Sequence, residues 1–295
     1  MSSKITRSVA THNGPFHADE VTACALLIMY GLVDKDKIVR TRDPKKIQQC
    51  EYVCDVGGTY SPKDKLFDHH QAEYTGLMSS AGMVLSYLHE TKVIDDKLYR
   101  FFNNALIIGV DDHDNGRVKP VAGYCSFSHI IANYTPIEQD ASEDVENAAF
   151  NFALDFVLDY LKKLVSRYEY NRNCKAIVEQ VMKNSNEYMF FEKNIPWLES
   201  FFDLDGEKHP ALFVVMPAGH HWKLRGVPPS YENRMQVRCP LPENWAGLLE
   251  GDLKKISGIP GAIFCHKGRF ISVWETKEDA MKAMDYTLKL YKDQK

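Results

Sequence analysis

Through the first half of the chain, short apolar runs alternate with stretches whose apolar residues recur every three to four positions. That pattern predicts a parallel sheet with crossover helices. KITRSVATH reads as a first strand ending near His12. In the next segment, HADEVTACALLIMYG, Val21, Cys24, Ala25 and Ile28 share one helical face, Asp19 and Glu20 occupy the first turn, and Gly31 supplies a stop. KIVRTR and YVCDVGG read as further strands, the first halted by Asp43-Pro44 and the second ending at Asp55 before a glycine pair. SSAGMVLSYLHE predicts a helix capped by Ser79 or Ser80. DDKLYRFFNNALIIGVDDHDNG predicts another, closing in a dense polar cluster.

One long amphipathic stretch runs from about residue 142 to 184. Beyond it prolines and glycines become frequent, and short strands such as ALFVVM, AIFCH and FISVWE take over. TKEDAMKAMDYTLKLYKD closes the chain as a helix with Thr276 as its cap. The expected architecture is α/β: an N-terminal domain over residues 1–165 with a mainly parallel sheet flanked by helices, a helical connector over 166–190, and a smaller C-terminal α/β domain over 191–295. The opening MSSKITRSVATHNG has no apolar core of the secretory kind and reads as the start of the fold.

Charge narrows the partners. A net charge of -4 provides no global basic field, so a nucleic acid would have to meet a local patch or metal ions. No window approaches the roughly 18 apolar residues of a membrane span. The seven cysteines are scattered without a C-x-x-C pair, which argues against a zinc ribbon or disulfide framework. Most read as small buried hydrophobes in a reducing, intracellular setting, with cytoplasm, nucleus and mitochondrion not separated.

Seven of the eleven histidines precede residue 130, and they cluster with acids at expected strand ends or helix starts. Four clusters stand out: THNGPFHADE with His12, His17 and Asp19; CDVGG with Asp55; FDHH with Asp68, His69 and His70; and GVDDHDNG with Asp111 to Asp114. In an open parallel sheet the carboxyl ends of the strands converge on one crevice, so these clusters are expected to meet there. Imidazoles and carboxylates without thiolates suit Mn²⁺, Mg²⁺, Fe²⁺ or Zn²⁺. A carboxylate shared by two ions gives the geometry used to hydrolyse phosphate esters, and Asp55 is the candidate bridge.

The ordered set H-x4-H-x-D, D-V-G-G, D-H-H-Q, S-S-A-G and D-x-x-D-N-G resembles the melanocyte-proliferating-gene family of the DHH phosphoesterase superfamily. SGIPGAIFCHKGRFI is similar to that family's closing segment, so the likeness runs from about residue 10 to 290. The resemblance implies a DHH-type catalytic domain, a C-terminal substrate domain, and a metal-dependent phosphodiester hydrolase acting as a 3′→5′ exonuclease on RNA. It implies His12, His17, Asp19, Asp55, His69, Asp111 and Asp114 as ligands to one or two divalent ions, manganese first. It places His70 against the scissile phosphate, with Asp68 steadying it. The chain departs from the wider superfamily by carrying His17 where an H-x3-D-x-D spacing has Asp, and it lacks the GGGH element of many C-terminal domains.

Plainer readings stand beside these. His12 and His17 can be polar residues of a strand-to-helix junction, Asp55 a turn, and Asp114-Asn115-Gly116 a helix stop, which favours Asp111 over Asp114 as ligand. Ser79 and Ser80 can cap a helix or meet a phosphate at its N-terminus. Between Met216 and Phe270 there are eight Lys/Arg against four Asp/Glu. In GHHWKLRG, with His220, Trp222 and Arg225, the tryptophan can stack on a base while Arg225 meets phosphate, or the segment can be an alternating surface strand. His266, Lys267 and Arg269 form either a phosphate clamp or a polar turn. The expected partner is RNA or a short oligonucleotide, with no membrane, and a homodimer is one open oligomeric state. A small-molecule phosphoesterase and a non-catalytic metal-stabilised binding protein stay open as alternatives.

Overall fold

Alternation along the first strand sets the layers of the N-terminal unit. Val9 enters a large helical core while its neighbour Ala10 faces the other side with Cys50, Val53 and Val56. The computed structural model describes residues 4–138 and 140–293. The chain divides into two units at Ser166–Arg167.

In chain order the first unit contains β1 (Ile5–Thr11), α1 (Ala18–Met29), β2 (Ile38–Arg40), α2 (Pro44–Ile47), β3 (Cys50–Cys54), β4 (Tyr60–Ser61), β5 (Leu66–Phe67), α3 (Ser80–Glu90), α4 (Asp96–Phe102), α5 (Ile108–Asp114), α6 (Phe127–Ala132) and the start of α7 (Glu143–Lys183). Its sheet has the order β2-β1-β3-β5-β4, parallel except for β4. Buried faces of α1, α3 and α7 cover one side. The single helix expected before the DDHDNG cluster is instead two, joined by a π-helical stretch at Asn103–Ile107. Such widened turns recur at functional sites.

Helix α7 has 41 residues and is about 62 Å long at 1.5 Å per residue. Its later turns are not a free connector, because Cys174, Val178 and Met182 enter a core of the second unit. That unit continues with β6 (Tyr188–Phe190), α8 (Leu198–Asp203), β7 (Phe213–Ala218), β8 (His221–Gly226), α9 (Glu250–Ser257), β9 (Ala262–Cys265), β10 (Ile271–Trp274) and α10 (Lys277–Asp293). Its sheet order is β6-β7-β8-β10-β9, antiparallel except for the β6–β7 pair. Thr276 caps α10, its hydroxyl accepting the Asp279 N–H at 3.1 Å. Six cysteines are buried and Cys125 is exposed. No helix among the described residues is long and apolar enough to cross a membrane.

Candidate metal centre

Three adjacent parallel strands each deliver chemistry at the residue after their last. β1 ends before His12, β3 before Asp55, and β5 before Asp68-His69-His70. Because β1, β3 and β5 are neighbours in that order, their carboxyl ends bring residues far apart in sequence together. His17, Asp19 and Glu20 come from the start of α1, and Asp114 closes α5.

Asp55 is the hub. Its Oδ2 lies 3.3 Å from His12 Nε2, and its Oδ1 lies 3.4 Å from His69 Nε2 and 3.5 Å from His70 Nδ1. His12 Nε2 also meets Glu20 Oε1 at 3.1 Å, and His69 Nε2 meets Asp114 Oδ2 at 3.0 Å. Asp55 has φ +56°, in the left-handed region, so the chain turns sharply as it leaves β3. Asp68 does a different task. Its Oδ2 accepts the Gly58 N–H at 2.6 Å, while Oδ1 accepts the His70 N–H at 3.0 Å and lies 2.8 Å from His70 Nδ1. It fixes both the glycine turn and the His70 ring, whose side chain is 64% exposed.

The electrostatics are those of a site short of positive charge. Burial would depress His12, but Asp55 and Glu20 outweigh it and push the imidazole up to about 10. Asp114 and Asp55 push His69 up to about 10. Burial works to raise Asp55, yet His12 and His69 overcome it and hold that carboxylate below the usual range. Asp19 has no such partner. Burial, followed by the fields of Asp55, Glu20 and Asp114, raises it well above its ordinary value.

Both Asp19 oxygens are buried without a hydrogen-bond partner. An orphaned buried carboxylate is costly, and a divalent cation is the partner that chemistry supplies. The donors form three groups within which ligand atoms lie within 4.8 Å of one another: His12, His17, Glu20 and Asp55; Asp55, His69 and His70; and His17, Asp19 and Asp114. Asp55 joins the first two, and His17 joins the first and third. These nitrogen and oxygen donors fit Mn²⁺, Mg²⁺, Fe²⁺ or Zn²⁺.

Several expected residues lie elsewhere or act differently. Asp111 is outside these groups: its Oδ1 accepts the Ser79 N–H at 3.1 Å, the Ser79 hydroxyl at 2.7 Å and the Gly82 N–H at 3.1 Å. It therefore caps α3 from a distance, and burial pushes it up to about 6 against the pull of those bonds. The preference for Asp111 over Asp114 is reversed in the geometry. Ser79 and Ser80 are fully buried, and their hydroxyls donate to Asp111 and to the Phe67 carbonyl, so neither has a proton left to donate to a phosphate. Trp222 and Arg225 are three apart in β8, and strand alternation sends them to opposite faces, so they cannot grip one nucleotide together. Trp222 stacks on Phe190 at 5.7 Å and packs against the core under α9 and α10. His220 is exposed in the β7–β8 turn. His266, Lys267 and Arg269 form the β9–β10 turn, where His266 Nδ1 accepts the Gly268 N–H at 2.9 Å.

Glu20 was missed as a site residue. It is fully buried, and its two oxygens accept the His17 N–H at 2.9 and 3.0 Å while one contacts His12. Its position three residues after His17, at the opening of a helix buried almost all round, was the available signal.

Residues 8–288 match the family MYG1_exonuc, described as Uncharacterised protein family (UPF0160). The chain is 54% identical over 286 residues to the MYG1 protein of Chlamydia muridarum, covering 97% of this chain and 98% of that protein. It is 34% identical over 329 residues to the MYG1 exonuclease of Mus musculus, covering 95% of this chain and 84% of that one. Among solved structures it is similar to RecJ in complex with Mn²⁺ from Thermus thermophilus, at 12% identity and a TM-score of 0.28, over 96% of this chain and 52% of that one. A likeness that slight carries no weight for the site.

Proposed function

The chain belongs to the uncharacterised protein family UPF0160 (MYG1_exonuc), and from that membership and its donor cluster we propose a metal-dependent phosphodiesterase that trims RNA from the 3′ end. The observation that carries the reading is the union of donor groups through Asp55 and His17 at the carboxyl edge of a parallel sheet. The name exonuclease carried by the mouse relative supports it.

When bound, divalent cations at such a donor set supply Lewis acidity and positive charge to a phosphodiester. The residues that would hold them are His12, His17, Asp19, Glu20, Asp55, His69 and Asp114. Asp68 fixes the His70 ring by its Nδ1 edge, which leaves Nε2 free at the exposed side. In the imidazolium form that nitrogen carries the N–H that would meet charge developing on a phosphate. The Gly58 N–H on Asp68 keeps this support rigid.

Asp55→Asn and His69→Ala proteins, checked for folding by circular dichroism, should lose Mn²⁺-dependent hydrolysis of a 5′-labelled RNA by on the order of 100-fold or more. Wild-type protein should give a ladder of shortening products from that strand. An immediate labelled mononucleotide would reverse the polarity, and undiminished rates in both variants would reject the chemistry.

A further inference from the structure

The sheet of the second unit is covered on one face and only half covered on the other. Strand register puts Val215, Leu224 and Trp274 on the side packed by α9 and α10. On the reverse side lie Val214, Met216, Lys223, Arg225, Val273 and Phe264. There Val214 and Met216 belong to the core that also contains Val178 of α7 and Phe201 of α8. Phe264, Ile271 and Val273 belong to no core cluster and are half-buried. The strands β8, β10 and β9 thus present a bare strip.

Two cations stand in that strip. Lys223 and Arg225 are two apart in β8, hence on one side and roughly 7 Å apart along the strand. The charged groups each feels are other cations, Arg225 for Lys223 and Arg234 for Arg225. Arg225 Nε is buried without a hydrogen-bond partner, and Nη2 makes only a long 3.4 Å approach to the Arg234 carbonyl. Lys223 Nζ donates to Asn194 Oδ1 at 2.9 Å. Half-buried cations without a counter-charge are costly until an anion completes them. Beside them is an aromatic ledge: the Phe270 ring lies 5.9 Å from the Arg225 guanidinium and 4.4 Å from the His266 ring, which is itself 6.1 Å from Phe264.

We propose that this strip binds single-stranded RNA, Lys223 and Arg225 meeting two successive phosphates while Phe264 and Phe270 stack on bases. The choice of RNA as the anion rests on the function proposed above. The cations require an anion, and the rings beside them favour one that carries flat bases over an acidic peptide.

The test is fluorescence anisotropy of a labelled 12-nucleotide oligouridylate in EDTA, where hydrolysis is off. The Lys223→Gln/Arg225→Gln protein, folded by circular dichroism, should bind at least tenfold more weakly, and its log–log salt slope should shrink by about 1.4, two phosphates at about 0.7 each. Phe264→Ser should weaken binding about 5- to 100-fold with the slope unchanged, since stacking is uncharged. Wild-type affinity and slope in the double variant would overturn the proposal, as would absence of binding by the wild type or equal displacement of the RNA by oligoglutamate of the same length. Loss of binding in the variants of a protein that hydrolyses no RNA would leave the strip standing and sink the hydrolase. Undisturbed binding beside active hydrolysis would do the reverse.

Discussion

Gly82 shows how a single residue secures the edge of the site. An added Cβ there would fall well inside contact distance of Asp111 Oδ2 and within 2.9 Å of Met78 Cβ. Alanine in a helix interior gains up to about 1 kcal/mol over glycine, whereas overpacking a tight contact costs about 1–3 kcal/mol. Gly82→Ala should therefore destabilise the protein, lowering the urea midpoint at unchanged m. The S-S-A-G run was legible as a helix start, but its reason was not: a carboxylate about thirty positions on receives the helix N-terminus. The same blindness inverted Asp111 and Asp114. Both precede a helix stop in sequence, and only the winding of α5 decides which one reaches His69.

At the scale of elements, the loop between His12 and His17 is gripped from α7. The Gly14 N–H donates to Glu146 Oε2 at 3.1 Å, and the Gly14 carbonyl accepts from Arg40 Nη2. Arg40 Nη1 donates to Asn147 Oδ1 at 3.1 Å, and the guanidinium lies 5.6 Å from the Phe16 ring and 4.9 Å from Phe150. Gly14 has φ +86°, a conformation glycine adopts cheaply. Arg40→Met would strand buried polar partners, costing about 1–3 kcal/mol, and should weaken Mn²⁺ binding about tenfold by calorimetry as the loop loosens. Glu146→Gln, which keeps an acceptor, should show a smaller loss of each. Unchanged Mn²⁺ affinity in Arg40→Met would confine the clamp to stability. The strands and helices involved were visible in apolar spacing. The clamp was not, because its ends are 107 residues apart. Parity, by contrast, was available from the outset: a three-residue spacing in GHHWKLRG already parts Trp222 from Arg225.

For the whole molecule, the two-part α/β plan was legible because each half carries its own periodicity. The division of α7 between the two units was not, since one amphipathic helix gives no sign of where it changes cores. Among the described residues the groups that could hold a cation all fall in the first unit, where Asp19, Glu20, Asp55 and Asp114 are gathered. A ligand that binds only the folded state stabilises it by about 2.7 kcal/mol at a hundred times its dissociation constant. Saturating Mn²⁺ should thus slow hydrogen exchange of β1, β3 and β5 to that extent and leave β7, β8 and β10 unmoved, with chelation reversing the change. Equal slowing in both sheets, or none in either, would contradict a cation held at Asp55.

The lone exposed thiol has a practical use. Cys125 precedes Ser126, the cap of α6, whose His129 ring lies 4.8 Å from His113 in α5, one residue before Asp114. The natural chain thus carries a ready attachment point for a maleimide dye or spin label close to the end of the helix that supplies a donor. The other six thiols are shielded within the fold, so a reporter can be placed there without engineering a single residue.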